Sequence, residues 1–333
     1  MSGMNAWRLL SKGKNFMAID FSKCEIRTPE SPLELKRLYQ MLAEVFPVEK
    51  DFFEGLIDGS RTLYNWRPYT LYHGDEPLGN VSVVMFQLKS GTGLQETAGI
   101  ASVATPERHR GMGIARQLME HVLKKIDGRN LPSVLFTSMP RVYSGLGYQV
   151  VDQGVMQVSV KPMVQADGLT ILRLTRLDSG DLATIEKLYS GLLPYDGKLL
   201  RDQECWHHYA SAVNNSSKTE FAFCRQNGST LGYARLEHEA DRILLDEFYA
   251  PAASREVNTA LWNWACEAAG EKSKKIISLA LPPAHGLWNL LNLEGLAAKP
   301  ETGMEREVFM VRMPMRKPLE WLPGLRWPLS GKF

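Results

Sequence analysis

Residues 101–115 read Ala101-Ser102-Val103-Ala104-Thr105-Pro106-Glu107-Arg108-His109-Arg110-Gly111-Met112-Gly113-Ile114-Ala115, and the fold turns on them. The apolar run from Gly99 to Val103 has the character of a buried strand. Thr105-Pro106 is a turn signal, and Ile114, Leu118, Val122 and Ile126 then recur at helical spacing. A strand feeding a glycine-containing loop that opens a helix makes an anion site. Loop and first-turn amides have no intrahelical partner and face outward at the positive end of the helix dipole. Gly111 and Gly113 tolerate unusual φ and let a ligand approach the backbone, while Arg108 and Arg110 add charge. A dinucleotide-binding loop is the rival reading. Its G-x-G-x-x-G spacing is absent, and no acidic residue ends a following strand where a ribose would need one.

The pattern from Val103 to Ala115 resembles the acyl-CoA pyrophosphate loop of the GCN5-related N-acetyltransferases, the GNAT superfamily. The resemblance implies acetyl-CoA as co-substrate, with Arg108, His109, Arg110, Gly111, Met112, Gly113, Ile114 and Ala115 around its pyrophosphate. It also implies that the backbone of Ala101, Ser102 and Val103 pairs with the pantetheine arm as an added strand would, with Ser138 lining the same groove. In this family a backbone amide there polarises the acyl carbonyl. Tyr143, four residues ahead of Gly147, matches the tyrosine that protonates the departing CoA thiolate. Glu96, early on the strand leading to the loop, stands where relatives carry a carboxylate base. The implied reaction is acetyl transfer to a primary amine of a small molecule or protein.

The chain has 333 residues, more than one core usually fills. Composition is that of a soluble globular protein, and a net charge of +2 gives no nucleic-acid track and no membrane-surface field. No apolar run reaches the length of a membrane span. The four cysteines lack metal-ligand spacing and read as buried thiols of a reducing compartment, so the cytoplasm is the expected location. His207-His208 has no third ligand at sensible spacing, and no metal is expected. A homo-oligomer is left open.

Element order predicts an α/β (α+β mixed-sheet) protein built from two tandem copies of the GNAT fold. After a lead-in over 1–19, residues 20–161 run β-α-α-β-β-β-α-β-α-β. Residues 162–168 read as a linker, 169–313 repeat the order, and 314–333 form a Pro- and Trp-containing tail. The last strand of the first copy is expected over Tyr148–Val160, that of the second over Val308–Arg312, and Leu199–Val213 as one helical stretch. The second copy departs where the chemistry sits. No glycine lies between Ala250 and Ala269, and Leu291 stands where Tyr143 stands in the first copy, so this half is read as degenerate and silent. Phe46, Phe52, Phe53, Tyr64 and Trp66, with Glu54 and Asp58, are either an aromatic pocket for a cationic amine or helix core with solvated acids. Two rivals remain: a non-catalytic acyl-CoA sensor, and a Fem-type aminoacyl transferase, which duplicates this fold but has no use for a CoA loop.

Overall fold

The computed structural model describes residues 20–90, 93–151, 155–164, 168–191, 198–251, 254–279, 281, 285–300 and 307–314, and the statements below concern these. The lead-in and the tail beyond Pro314 lie outside them.

The first half opens with β1 (Cys24–Arg27), α1 (Pro32–Val45) and α2 (Lys50–Ile57). Ser31 caps α1 by accepting the Glu34 amide at 3.2 Å, and Pro32 occupies the first helical position, where its missing N–H costs nothing. Three antiparallel strands follow, β2 (Trp66–His73), β3 (Glu76–Ser90) and β4 (Gly93–Ala104). Then come α3 (Ile114–Gly128), β5 (Ser133–Thr137), the single-turn α4 (Pro140–Ser144) and the short β6 (Gln149–Val150). The stripe read from sequence holds, since Ile114, Leu118, Val122 and Ile126 are all buried against the sheet. The opposite face is covered by α1 and α2, whose Leu38, Leu42 and Phe53 form a separate core.

The second half comprises β7 (Met156–Ser159), β8 (Thr170–Leu174), α5 (Ser179–Gly191), β9 (Leu199–Leu200), α6 (Gln203–Asn214), β10 (Thr219–Gln226) and β11 (Ser229–His238). It continues through β12 (Ile243–Tyr249), α7 (Arg255–Glu271), β13 (Ile276–Leu279), α8 (Gly286–Leu293), β14 (Lys299–Pro300) and β15 (Val308–Arg312). Asn227 and Gly228 both take positive φ, 49° and 79°, the turn that lets β10 and β11 pair without splaying. Among the described residues the sheets have eight and seven strands, in the orders β1-β2-β3-β4-β5-β15-β6, with β9 on β3, and β14-β7-β13-β12-β11-β10-β8.

Those orders correct three expectations. The stretch Tyr148–Val160 is not one strand: β6 stays in the first sheet, whereas β7 pairs with β13 and β14 of the second. Reciprocally, β15 inserts between β5 and β6. Each half therefore receives its penultimate strand position from the other, and the 162–168 linker is crossed on both sides by backbone hydrogen bonds. Alternating burial specifies which residues face a core but not whose strand lies alongside. Arg312 fixes the inserted strand, donating to both carboxylate oxygens of Asp127 at 2.6 and 2.8 Å and to the Leu146 carbonyl at 2.9 Å. Third, Leu199 and Leu200 are not helical. They form β9, which extends β3 opposite Leu88 and Gln87.

Candidate active site

Gly79 seats the loop. A Cβ there would lie 2.6 Å from the Ile114 side chain and 2.9 Å from the Ala104 carbonyl, so only glycine lets the start of α3 sit this close to β3. The loop then turns through Gly111 and Gly113 at φ 82° and 81°, and open space lies where their side chains would be. Gly113 is the residue before α3 and offers no side-chain cap. From Gly111 to Arg116 no backbone N–H finds an acceptor among the described residues. A row of free donors thus stands at the positive end of a 15-residue helix, with room above it. Donor type, open space and dipole all suit a pyrophosphate.

The loop's cations are partly engaged elsewhere. Arg108 binds Glu44 of α1 through both carboxylate oxygens, at 2.8 and 2.9 Å, and reaches Glu76 at 3.5 Å. His109 is held below its usual pKa by burial and by Arg108, and so is neutral at pH 7. Arg110 folds back on the Thr105 carbonyl at 3.3 Å. Met112 packs against the core beneath α3, and Ala115 lies half-buried in its first turn.

Beyond the loop the sheet opens. The parallel pairing of β4 with β5 covers only Ala98 with Ser133 and Gly99 with Val134, and the strands then part. Just past that point β4 carries an extra residue: Ala101 faces Ser82 and Ala104 faces Asn80, leaving Ser102 and Val103 opposite Val81 alone. Ser102 sits at φ 47°, a strained conformation for a residue with a Cβ. Ser138 is exposed immediately beyond β5. Tyr143, in α4, is 9% exposed and meets Tyr148 edge-on at 6.2 Å. Its hydroxyl has no hydrogen-bond partner among the described residues. Burial, with Glu307 adding to it, pushes the phenol up to about 12. Tyr148 is committed instead to Ser133, at 2.8 Å.

Glu96 is held in an ion pair. It shares the α3 side of β4 with Ala98 and Ile100. Both its oxygens accept from Arg129, at 2.9 and 2.8 Å, beyond the C-terminal end of α3. The helix places that end about 22 Å from the loop. On the other face, Phe46, Phe52 and Phe53 pack on one another at 5.4–6.1 Å as helix core. Glu54 pairs with Lys50 at 3.4 Å and Asp58 caps Ser60. Tyr64 instead reaches across to the second half, donating to Asp202 at 2.7 Å. Among the described residues no His, Cys, Asp or Glu cluster could hold a metal, and no helix is long and apolar enough to cross a membrane.

The second half repeats the scaffold with different residues at the matching place. Gly232 makes the same close approach as Gly79, here to the Tyr249 carbonyl at 2.7 Å and Val257 at 3.0 Å. Unlike α3, α7 has a side-chain cap: Ser254 accepts the Val257 amide at 3.3 Å, and Asn258 Nδ2 donates to the carbonyls of Pro251 and Ser254. Buried His285 bonds the Phe248 carbonyl of β12 at 2.8 Å, and Leu291 is core.

Two groups were missed in the sequence. Gly79 and Gly232 occupy matching places in the repeat, a signal that comparing the copies would have raised. Asn80 and Ser82, polar and fully buried in a strand of valines, needed partners that only the register supplies.

The profile of the acetyltransferase (GNAT) domain family matches residues 26–151, the span that holds loop, opened strands and buried tyrosine. Over that span the chain is similar to a GNAT acetyltransferase domain. No curated protein matches the sequence significantly. Solved structures share the fold over both halves. A probable N-acyltransferase from Enterococcus faecalis V583, a conserved protein of unknown function, is 18% identical; the match covers 87% of this chain and 73% of that one with a TM-score of 0.62. Eis1 from Mycobacterium abscessus is 16% identical over 87% of this chain and 73% of its own, TM-score 0.59. A tandem GNAT protein from the clavulanic acid biosynthesis pathway is 11% identical, covering 89% of this chain and 100% of that one, TM-score 0.52. At such identities the likeness is one of fold. With the domain match it supports an N-acyltransferase of tandem GNAT architecture, the class that acts on amine-bearing acceptors.

Proposed function

We propose that the first half transfers an acetyl group from acetyl-CoA to a primary amine of a small molecule or protein within a ternary complex, and that the second half binds no acyl-CoA. The free amides from Gly111 to Arg116 carry this reading. They would hold the pyrophosphate, while the β4 backbone at Ala101–Val103 and the groove edge near Ser138 would take the pantetheine arm. The neutral amine adds to the thioester carbonyl, forming a C–N bond. Collapse breaks the C–S bond, and the nitrogen loses a proton. Tyr143, protonated at neutral pH because burial raises it, donates its proton to the leaving sulfur and recovers one from solvent. Glu96, held by Arg129, can serve as base only after leaving that pair.

Calorimetric titration of acetyl-CoA tests this. Wild type should bind one equivalent, and Gly111→Glu/Gly113→Glu should abolish binding while still unfolding cooperatively, at a somewhat lower temperature because both positions take positive φ. Tyr143→Phe should bind as wild type yet release CoA thiol to an amine at least ten-fold more slowly. Two sites, or binding that survives the loop variant, would refute the assignment; a Tyr143→Phe protein with full thiol release would remove the acid.

A further inference from the structure

The extra residue in β4 is braced from the neighbouring strand. Asn80, Ser82 and Thr70 share the sheet face away from α3 and are completely buried. The Thr70 hydroxyl donates to Asn80 Oδ1 at 2.9 Å, which fixes the amide's orientation. Asn80 Nδ2 then donates to Ser82 Oγ at 2.8 Å and to the Ser102 carbonyl at 3.0 Å. The Ser102–Val103 peptide is therefore turned out of the ladder, its carbonyl drawn toward β3 and the α1 side. In a trans peptide the N–H points opposite to the C=O. The Val103 amide thus faces away from β3, toward the opening between β4 and β5 and toward the side of the sheet on which Tyr143 packs.

Resting on the acyl-transfer reading above, we infer that Asn80 is a positioning residue: by holding the Ser102 carbonyl it aims the Val103 amide into the wedge, where that amide polarises the thioester carbonyl. Without the brace a residue at φ 47° has reason to relax, since nothing else among the described side chains holds its carbonyl. The loop amides bind the far end of the same molecule and are untouched by Asn80. Affinity and polarisation therefore separate.

Infrared difference spectra of bound [1-¹³C]acetyl-CoA read the polarisation without an amine acceptor. In wild type the thioester carbonyl band should lie below its position in free acetyl-CoA. Asn80→Ala should return the band at least halfway to the free position, with acetyl-CoA affinity within three-fold of wild type. Turnover with any amine accepted should fall ~10-fold or more at unchanged acetyl-CoA KM. Thr70→Val removes only the hydroxyl that orients Asn80 and decides the matter if Asn80→Ala fails to fold; it should shift the band in the same direction by a smaller amount. A band at the wild-type position in the folded variants overturns the inference, as does a wild-type band no lower than that of free acetyl-CoA. Failure of wild type to bind acetyl-CoA would instead strike the acyl-transfer reading.

Discussion

Arg201→Met should destabilise the protein by about 4 kcal/mol at pH 7, and the loss should shrink on acidification. Arg201 follows β9 and is buried with Glu247 of β12, Nη2 to Oε1 at 2.5 Å. Its guanidinium lies 4.4, 4.8 and 4.4 Å from the ring centres of Tyr189, Trp206 and Tyr209. Glu247 also accepts from Tyr233 at 2.8 Å and Tyr209 at 3.2 Å. Removing one partner of such a pair costs about 3–5 kcal/mol, because a charge is left buried and unpaired. Two tyrosine hydroxyls remain to Glu247, and Arg235, itself paired with Asp246 at 2.7 Å, still contributes its field, which keeps the figure off the top of that range. Burial alone would raise the Glu247 carboxyl; Arg201, with help from Arg235 and Tyr233, outweighs it and holds the group below the usual carboxylate range. In wild type this group therefore adds stability that is present above its unfolded pKa and lost as pH falls through the depressed value. In the variant burial wins and the carboxyl titrates above its unfolded pKa, so stability is lost as pH rises. The gap between the proteins should be about 4 kcal/mol at pH 7 and fall toward about 1–2 kcal/mol, the lost cation–π contacts, near pH 4. Urea unfolding at both pH values measures it. Arg201→Met/Glu247→Gln should recover much of the loss. A gap of equal size at both pH values, or a double variant no better than the single, would refute the reasoning.

The strand exchange makes a second expectation. Residues 1–164 produced alone would leave β5 and β6 without β15 between them and β7 without β13, so the fragment should aggregate, and coexpression with 165–333 should yield a soluble pair that copurifies. Independent solubility of the first fragment would count against that interdependence. For Glu96→Gln, loss of an exposed ion pair should change stability by less than about 1 kcal/mol and acetyl transfer by less than three-fold. A hundred-fold slower variant would support Glu96 as base.

What could be read before the structure was local. The helical stripe of α3 depends on period alone, the loop on two glycines between a strand and that helix, and the β10–β11 turn on Asn227-Gly228. Each is fixed by residues close in sequence. What could not be read is pairing. The alternation in Val308–Arg312 says that one side is buried and nothing about lying between β5 and β6. Leu199-Leu200 is too short for a period of 2 to register, and leucines beside a helix extend its apparent stripe. Glu96 looked free because its partner lies 33 residues away, past the end of α3. Asn80 was not read from the sequence, because its complete burial, which makes partners necessary, appears only in the structure. Thr70 faces it across the regular β2–β3 pairing and Ser82 lies two residues along β3, but the Ser102 carbonyl reaches it only through the register shift in β4.

The two halves treat one irregularity in opposite ways. Each carries an extra residue on the strand that precedes its loop, in β4 opposite β3 and in β12 opposite β11, where Arg235 faces Glu247 and Leu236 faces Leu245. In the first half a neutral amide braces it, which needs no counter-charge and leaves the far side of the strand open. In the second, Asp246 and Glu247 bring two charges into the interior, with Arg235 and Arg201 paired to them, so that the desolvation cost of four buried charges is offset by their mutual attraction. On the reading that the second half binds no acyl-CoA, these buried side chains take the place of a groove for the pantetheine arm, and His285 bonds the β12 backbone there as well. On the acyl-transfer reading, these side chains also give the second half its task. The segment anchored by Arg201 adds β9 to β3 on one side and presents Asp202 to Tyr64 on the other, so the ion pair that fills one copy holds a strand and a loop of the copy that works.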